Sequence, residues 1–217
     1  MNGLNINFIF SQQTDNSSRL IWPVATLDET WFAIPLEYYT GTRPGEVLAK
    51  SFDDIDYNTQ SISIHQSLDV MQERLQDGTW SPREFVIQEY LKKNAQPRKV
   101  IIPSECLKVI DTIREILKEK NIERNNLFHV QTPQNLEMKL YKLCDELKIP
   151  RRSPNKLRKT NLSILYNAHA PDDFIRRQAG HQSIQTNWNN YVFTNKRDSE
   201  IAQKLNEIST WICTKLY

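Results

Sequence analysis

The chain has 217 residues, 25% of them charged and 39% hydrophobic, with a formal net charge of +2. This length and balance fit one large folded domain, or one and a half small ones, and exclude a disordered chain. No apolar run is long enough to cross a bilayer, the N-terminus lacks a secretory pattern, and the small net charge does not by itself announce a nucleic-acid partner.

Cys106, Cys144 and Cys213 are odd in number, widely spaced and set in apolar helical contexts. They are expected to be reduced core residues of a cytoplasmic protein. Residues 1–26 begin with a polar stretch rich in Asn, Gln and Ser, interrupted by Phe8-Ile9-Phe10, and read as a leader or linker remnant. From residue 27 to 217 the pattern is that of one domain. Thr26 and Glu29 form a capping box, each able to satisfy the other's exposed backbone donor. The apolar segment Leu27–Tyr39 is expected to be a helix kinked at Pro35 and ended by Thr40-Gly41.

Gly41-Thr42-Arg43-Pro44-Gly45-Glu46 then opens a helix over EVLAKSF and sets Arg43 on a tight turn where small residues let a bound group approach the backbone. The alternative for Arg43 alone is a surface arginine at a helix start. Ser61–His65 alternates like a strand; Asp69–Pro82 reads as a long connection with Asp77-Gly78 as a turn signal. Phe85–Leu91 and Lys99–Ile102 are the next strands, with Lys92–Arg98 as the basic tip of a hairpin between them. Lysines at such a tip can also serve only to protect a sheet edge.

Helical spacing returns after Ser104, with Leu107, Ile110, Ile113 and Leu117 on one stripe, and again after Thr132-Pro133, with Leu136, Leu140, Leu143 and Leu147. Between Leu147 and Pro171 there is no acidic residue, while Lys148, Arg151, Arg152, Lys156, Arg158 and Lys159 crowd together. Such a block suits a phosphate-facing surface or, more simply, a solvated basic helix face. Ser153-Pro154 starts a helix on which Asn155 and Arg158 share a face. Gly180 stops the next helix, so that His181 follows its end and Tyr191 lies ten residues on. An arginine, a histidine and a tyrosine so arranged suit phosphoryl transfer to a phenol. Ile201, Leu205, Ile208 and Ile212 mark a C-terminal amphipathic helix that docks on its own domain or on a neighbouring protomer. His65, His129 and His169 have neither mutual spacing nor cysteine partners suited to a metal, so no metal site is expected. The fold class expected is α+β and mainly helical, with a small three-stranded antiparallel sheet.

Tyr39-Thr40-Gly41-Thr42-Arg43-Pro44-Gly45-Glu46 resembles the first arginine box of the tyrosine recombinase (phage integrase) family. Leu157-Arg158-Lys159-Thr160 resembles the second. Ala179-Gly180-His181-Gln182-Ser183, followed by Thr186 and Tyr191, resembles the histidine and nucleophile boxes, and the basic hairpin falls where the family carries a lysine. Order and separation agree from about Leu27 to Tyr191, the extent of that family's catalytic domain.

The resemblance implies a site-specific recombinase that cuts and rejoins double-stranded DNA through a 3′-phosphotyrosine, without metal or cofactor. It implies Tyr191 as nucleophile, Arg43 and Arg158 as phosphate clamps, Lys92 as the acid for the leaving 5′-oxygen and His181 as a hydrogen-bond or proton-transfer partner. Glu46 would buttress Arg43. Arg151, Arg152, Lys156 and Lys159 would contact DNA, and the C-terminal helix would mediate self-association on it. Two departures stand out. Asn155 occupies the place of the family's usual histidine and cannot exchange a proton near neutral pH. Lys93 adjoins Lys92, and adjacent strand side chains point to opposite faces; the spacing of six residues to Arg98 favours Lys92. The residues ahead of the first helix are too few for the family's N-terminal DNA-binding domain, which suggests an excised domain or a shortened member. Two alternatives remain: an impaired relative that binds DNA, motivated by Asn155, and a type IB topoisomerase-like enzyme that nicks and reseals.

Overall fold

The computed structural model describes residues 29–91, 95–129 and 132–180. The leader, Thr26 of the capping box, Lys92, Lys93, His181, Tyr191, Cys213 and the C-terminal helix lie outside the described residues.

A 3-10 turn over Glu29–Phe32 runs into helix α1, Ala33–Thr40. The kink expected at Pro35 is replaced by this change of helix type. The regular helix starts only at Ala33, so Pro35 sits in its first turn, where a missing N–H removes no intrahelical bond. Ala33 through Tyr38 are all buried, and α1 is the central rod of the core. It ends at Gly41, whose φ of 63° is left-handed and whose N–H bonds to Glu37 O. A side chain at Gly41 would be strained and would also collide with the Asn161 amide. Helix α2, Pro44–Leu48, follows with Pro44 at its first position and is shorter than the sequence suggests. A 3-10 turn at Phe52–Asp54 succeeds it.

The strands are β1 Ile55–Asp56, β2 Ser61–Ile64, β3 Ser67–Met71, β4 Glu84–Gln88 and β5 Arg98–Ile101. A three-stranded antiparallel sheet exists, in the order β1-β2-β5, with Ile62 opposite Val100 at its buried centre. Its membership differs from the expectation. The 85–88 strand does not pair with β5; it pairs back onto β3 in a separate two-stranded ribbon, from Ser67 opposite Gln88 to Met71 opposite Glu84. The expected connection 69–82 therefore contributes half of a long hairpin. Asp77-Gly78 does mark its turn, with Leu75 N–H bonded to Thr79 O. The alternation Ser67-Leu68-Asp69-Val70 is a period-2 signal only four residues long, and the polar run that follows it to Pro82 outweighed it.

Four helices complete the described residues: α3 Ser104–Glu119, α4 Pro133–Glu146, α5 Pro154–Asn167 and α6 Asp172–Ala179. Helices α3, α4 and α5 pack around α1, and the core joins Leu36, Ile62, Val100, Ile110, Leu140 and Leu157. A small satellite of Leu162, Ile175 and Ala179 glues α6 to α5. Thr132 caps α4 through its hydroxyl, which accepts from Asn135 N at 3.0 Å. Ser153 holds the same position on α5, but there its backbone carbonyl takes the Lys156 N–H at 2.8 Å and its side chain makes no capping bond. Cys106 and Cys144 are free and buried, and burial pushes the Cys106 thiol up to about 12, so it is chemically inert. No helix among the described residues is long and apolar enough to cross a membrane. The result is a mainly helical α+β domain with small antiparallel sheets.

Candidate active site

Arg43 precedes α2 in an extended conformation, set there by the left-handed turn at Gly41 and the fixed geometry of Pro44. Its backbone N–H donates to Glu46 Oε2 at 3.0 Å and its Nη1 to Glu46 Oε1 at 2.9 Å. The same carboxylate receives Arg98 Nη2 at 2.7 Å. Glu46 thus lies between two guanidiniums with its side chain 1% exposed. Burial alone would raise its pKa, but Arg98 and then Arg43 outweigh burial and hold the carboxyl below its ordinary value.

Arg158 reaches the same region from α5. It is 2% exposed and donates Nη1 to Gly41 O and Nη2 to Ala179 O, each at 2.7 Å. One side chain thereby joins the turn before Arg43, 117 positions away in sequence, to the end of α6. One turn further along α5, Asn161 Nδ2 donates to Tyr38 O and Tyr39 O at 2.9 and 3.2 Å and stitches α5 to the end of α1.

The end of α6 is also fastened to β5. The Gln178 amide pairs with the Ile101 backbone, donating Nε2 to Ile101 O at 2.6 Å and accepting Ile101 N–H at 3.1 Å. Arg98 Nε adds a bond to Gln178 O at 3.3 Å. Gly180 then turns with φ 67°, and a Cβ there would fall 2.6 Å from Arg98 Cζ, so the guanidinium fills the space a side chain would need. Arg43, Arg98 and Arg158 are therefore gathered by Gly41, Glu46 and residues 178–180. Two guanidiniums meet the one Glu46 carboxylate while the third, Arg158, is held by backbone carbonyls, and such an excess of fixed positive charge suits an anionic ligand.

Of the other residues singled out by the sequence, Asn155 and Lys156 are exposed on the first turn of α5, one turn before Arg158. Arg152 and Lys159 are half-buried. Arg151 is exposed but engaged, its Nη2 and Nε bonded to the Asp145 carboxylate at 2.7 and 3.0 Å. Lys92, His181 and Tyr191 fall outside the described residues.

Three further side chains at the site carried no strong local signal. Arg98 drew notice only as a marker of spacing, because nothing near it in sequence announces a partner 52 positions away. Gln178 is a lone amide near the end of a short helix. Glu37 could have been noticed, as an acidic residue inside the apolar run of α1. It is fully buried, and among the described residues neither carboxylate oxygen has a hydrogen-bond partner. Burial raises its pKa well above the ordinary 4.5, against a smaller opposing pull from Arg158. A carboxyl raised in the folded state contributes stability below its unfolded pKa and loses it as pH rises through the folded value. Glu37→Gln is therefore expected to melt at least about 2–4 °C above the parent at pH 8 and to lose that advantage only as the pH is taken below the ordinary 4.5, to about pH 4. Thermal melts at the two pH values check this; an equal gap at both would refute it.

The comparisons agree with this architecture. A family model described as the phage integrase family matches residues 24–198. The ICEBs1 integrase of Bacillus subtilis (strain 168) is 25% identical over 186 residues, covering 79% of this chain and 47% of its own length. The chain thus spans about half of that relative. Among solved structures, the Tn1549 transposon integrase in complex with transposon right-end DNA superposes with a TM-score of 0.64 at 16% identity, over 96% of this chain and 65% of that one. XerA recombinase gives a TM-score of 0.57 at 18% identity, over 82% and 62%.

Proposed function

The chain belongs to the phage integrase family, and we propose that it is the catalytic unit of a site-specific DNA recombinase that cuts and rejoins strands through a 3′-phosphotyrosine. The observation that carries this reading is the Arg158 bridge, whose bonds to Gly41 O and Ala179 O draw the two arginine boxes and the approach to the histidine box to one spot.

In this reading the Tyr191 phenol, its proton passed to His181 or to water, attacks the scissile phosphorus, a P–O(Tyr) bond forms, and the bond to the 5′-oxygen breaks. The leaving oxygen takes a proton from Lys92, and the second strand's 5′-hydroxyl later reverses the step. Free tyrosine has a pKa near ~10, so the phenol needs a strongly positive site or a proton acceptor. Arg43 and Arg158 hold the non-bridging oxygens with planar forks and offset the charge that builds between ground and transition state. Both are pre-set by the fold: Arg158 by two backbone carbonyls, Arg43 by Glu46. His181 hydrogen-bonds a phosphate oxygen or shares in proton transfer. Asn155 supplies a hydrogen bond to phosphate or phenol in place of a titrating group. Arg152, Lys156 and Lys159 meet the DNA backbone. Arg151 joins them only by exchanging Asp145 for phosphate. Self-association on DNA through the C-terminal helix completes the proposal.

The decisive experiment uses a duplex nicked beside the cleavage site, from which the short leaving strand is lost after attack. A covalent protein–DNA adduct is expected with the parent chain and none with Tyr191→Phe. DNA binding with no adduct from the parent favours the alternative that Asn155 motivates, a DNA-binding relative without strand-cutting activity. Strand transfer between two duplexes, beyond relaxation of a supercoiled circle, separates a recombinase from a type IB topoisomerase-like enzyme.

A further inference from the structure

We propose that Arg98 is a positioning residue of this site, which acts through Glu46 to keep the positive charge and orientation of Arg43 available to a scissile phosphate. The inference rests on the recombinase reading above. Glu46 is needed to orient Arg43, yet a carboxylate 2.9 Å from the guanidinium also cancels its charge. A closed, neutral pair would have little to offer a phosphate. Arg98 changes that balance. Its Nη2 donates to Oε2 at 2.7 Å and its Nη1 to Oε1 at 3.4 Å, so each carboxylate oxygen is shared between the two arginines. The triad carries a net charge of one positive unit where a simple pair would carry none.

Burial separates the two arginines by role. The Arg98 side chain is 8% exposed and that of Arg43 is 23% exposed, so Arg98 is the enclosed countercharge and Arg43 the one nearer solvent. Arg98 is itself held rigidly. Its own strand β5 fixes its backbone, Gln178 O takes its Nε at 3.3 Å, and the bare face of Gly180 gives its guanidinium room. A lysine could not reproduce this, because one ammonium cannot present a planar fork to both carboxylate oxygens while also reaching Gln178.

The test compares cleavage of two nicked substrates by the full chain and its Arg98→Met and Arg98→Lys variants at saturating DNA. One substrate has an ordinary scissile phosphate. The other has a methylphosphonate, in which a methyl group replaces one non-bridging oxygen and removes the negative charge that Arg43 would meet. With the phosphate, Arg98→Met is expected to form adduct about a hundredfold more slowly than the parent, the scale of loss from a misplaced catalytic group, and Arg98→Lys, which keeps the charge but not the planar fork, about tenfold more slowly. Their affinity for DNA should change by less than about threefold, since one buried side chain makes no backbone contact of its own. With the methylphosphonate, the gap between the parent and each variant should shrink, for Arg98→Met to less than about fivefold, because the phosphate charge that Arg43 must answer is gone. Arg98→Lys, which keeps a charge in place, serves if Arg98→Met does not fold. Equal losses on both substrates would mean that Arg98 supports only the fold, and an unchanged rate on phosphate would mean that it does nothing for the site; either result overturns the inference while leaving the recombinase reading intact. Absence of any adduct from the parent removes that reading and this inference with it.

Discussion

Glu46→Ala is expected to lower the unfolding free energy by about 3–5 kcal/mol, the usual cost of deleting one partner of a buried ion pair. Two arginines converge on this carboxylate, and its removal strands both of them in a site where Glu46 and Arg98 are almost wholly enclosed. Loss of the charge is only part of the effect. Oε2 also accepts the Arg43 backbone N–H, so the same deletion uncaps the start of α2. Glu46→Gln separates the two contributions. An amide of the same shape can still accept the Arg43 N–H but brings no charge to either guanidinium, and should recover only a minority of the loss. Urea denaturation of the parent and both variants measures this directly. A cost below about 1 kcal/mol for the alanine variant would show that the arginines find water or other acceptors, as exposed pairs do.

The same substitution has a signed pH dependence. The Glu46 carboxyl is held below its ordinary 4.5 by Arg98 and Arg43 despite burial. A carboxyl with a depressed folded pKa contributes stability above its unfolded value and loses it as pH falls through the folded one. The gap between parent and Glu46→Gln should therefore be full at neutral pH and close as the solution is taken below 4.5.

How much of this was legible depends on distance along the chain. The end of α6 and the start of α4 were readable because their causes are local. Gly180 terminates α6 through its own left-handed conformation, Pro133 and Thr132 start α4, and the leucines of α4 recur on one face. Arg43 and Arg158 could be picked out because each sits inside a compact motif. Strand partners were not readable in the same way. The 85–88 strand pairs with β3 across a hairpin whose short alternating run, Ser67-Leu68-Asp69-Val70, is followed by a long polar stretch, and pairing of two such strands leaves no local mark. Nor could sequence reveal what holds the site together. Arg98 to Glu46 spans 52 positions, Gln178 to Ile101 spans 77, and Arg158 to Gly41 spans 117, and each is a polar pairing of two residues with no periodicity to betray it. Local chemistry nominates the arginines, and only tertiary geometry shows what orients them.

Arg158→Lys is expected to separate charge from geometry most sharply. The two carbonyls that Arg158 satisfies lie on different elements, Gly41 after α1 and Ala179 at the end of α6, both at 2.7 Å from the same guanidinium. A planar fork reaches both at once; a single ammonium at the end of a shorter stem reaches one at best. The unsatisfied carbonyl is buried, and together with the lost charge-assisted bond it should cost about 2–4 kcal/mol in unfolding free energy. Adduct formation should fall by about a thousandfold or more, because a transition-state phosphate meets the wrong donor geometry and the bridge between the boxes is loosened together. Arg158→Met provides the contrast. It keeps the volume but removes every donor, so its stability should fall further than that of the lysine variant, while the two should be nearly equal in lost chemistry. Denaturation curves and single-turnover adduct formation on the nicked duplex give both numbers. If the lysine variant cuts DNA within tenfold of the parent, charge alone suffices there, and the fork that joins Gly41 to Ala179 is architecture without a chemical role.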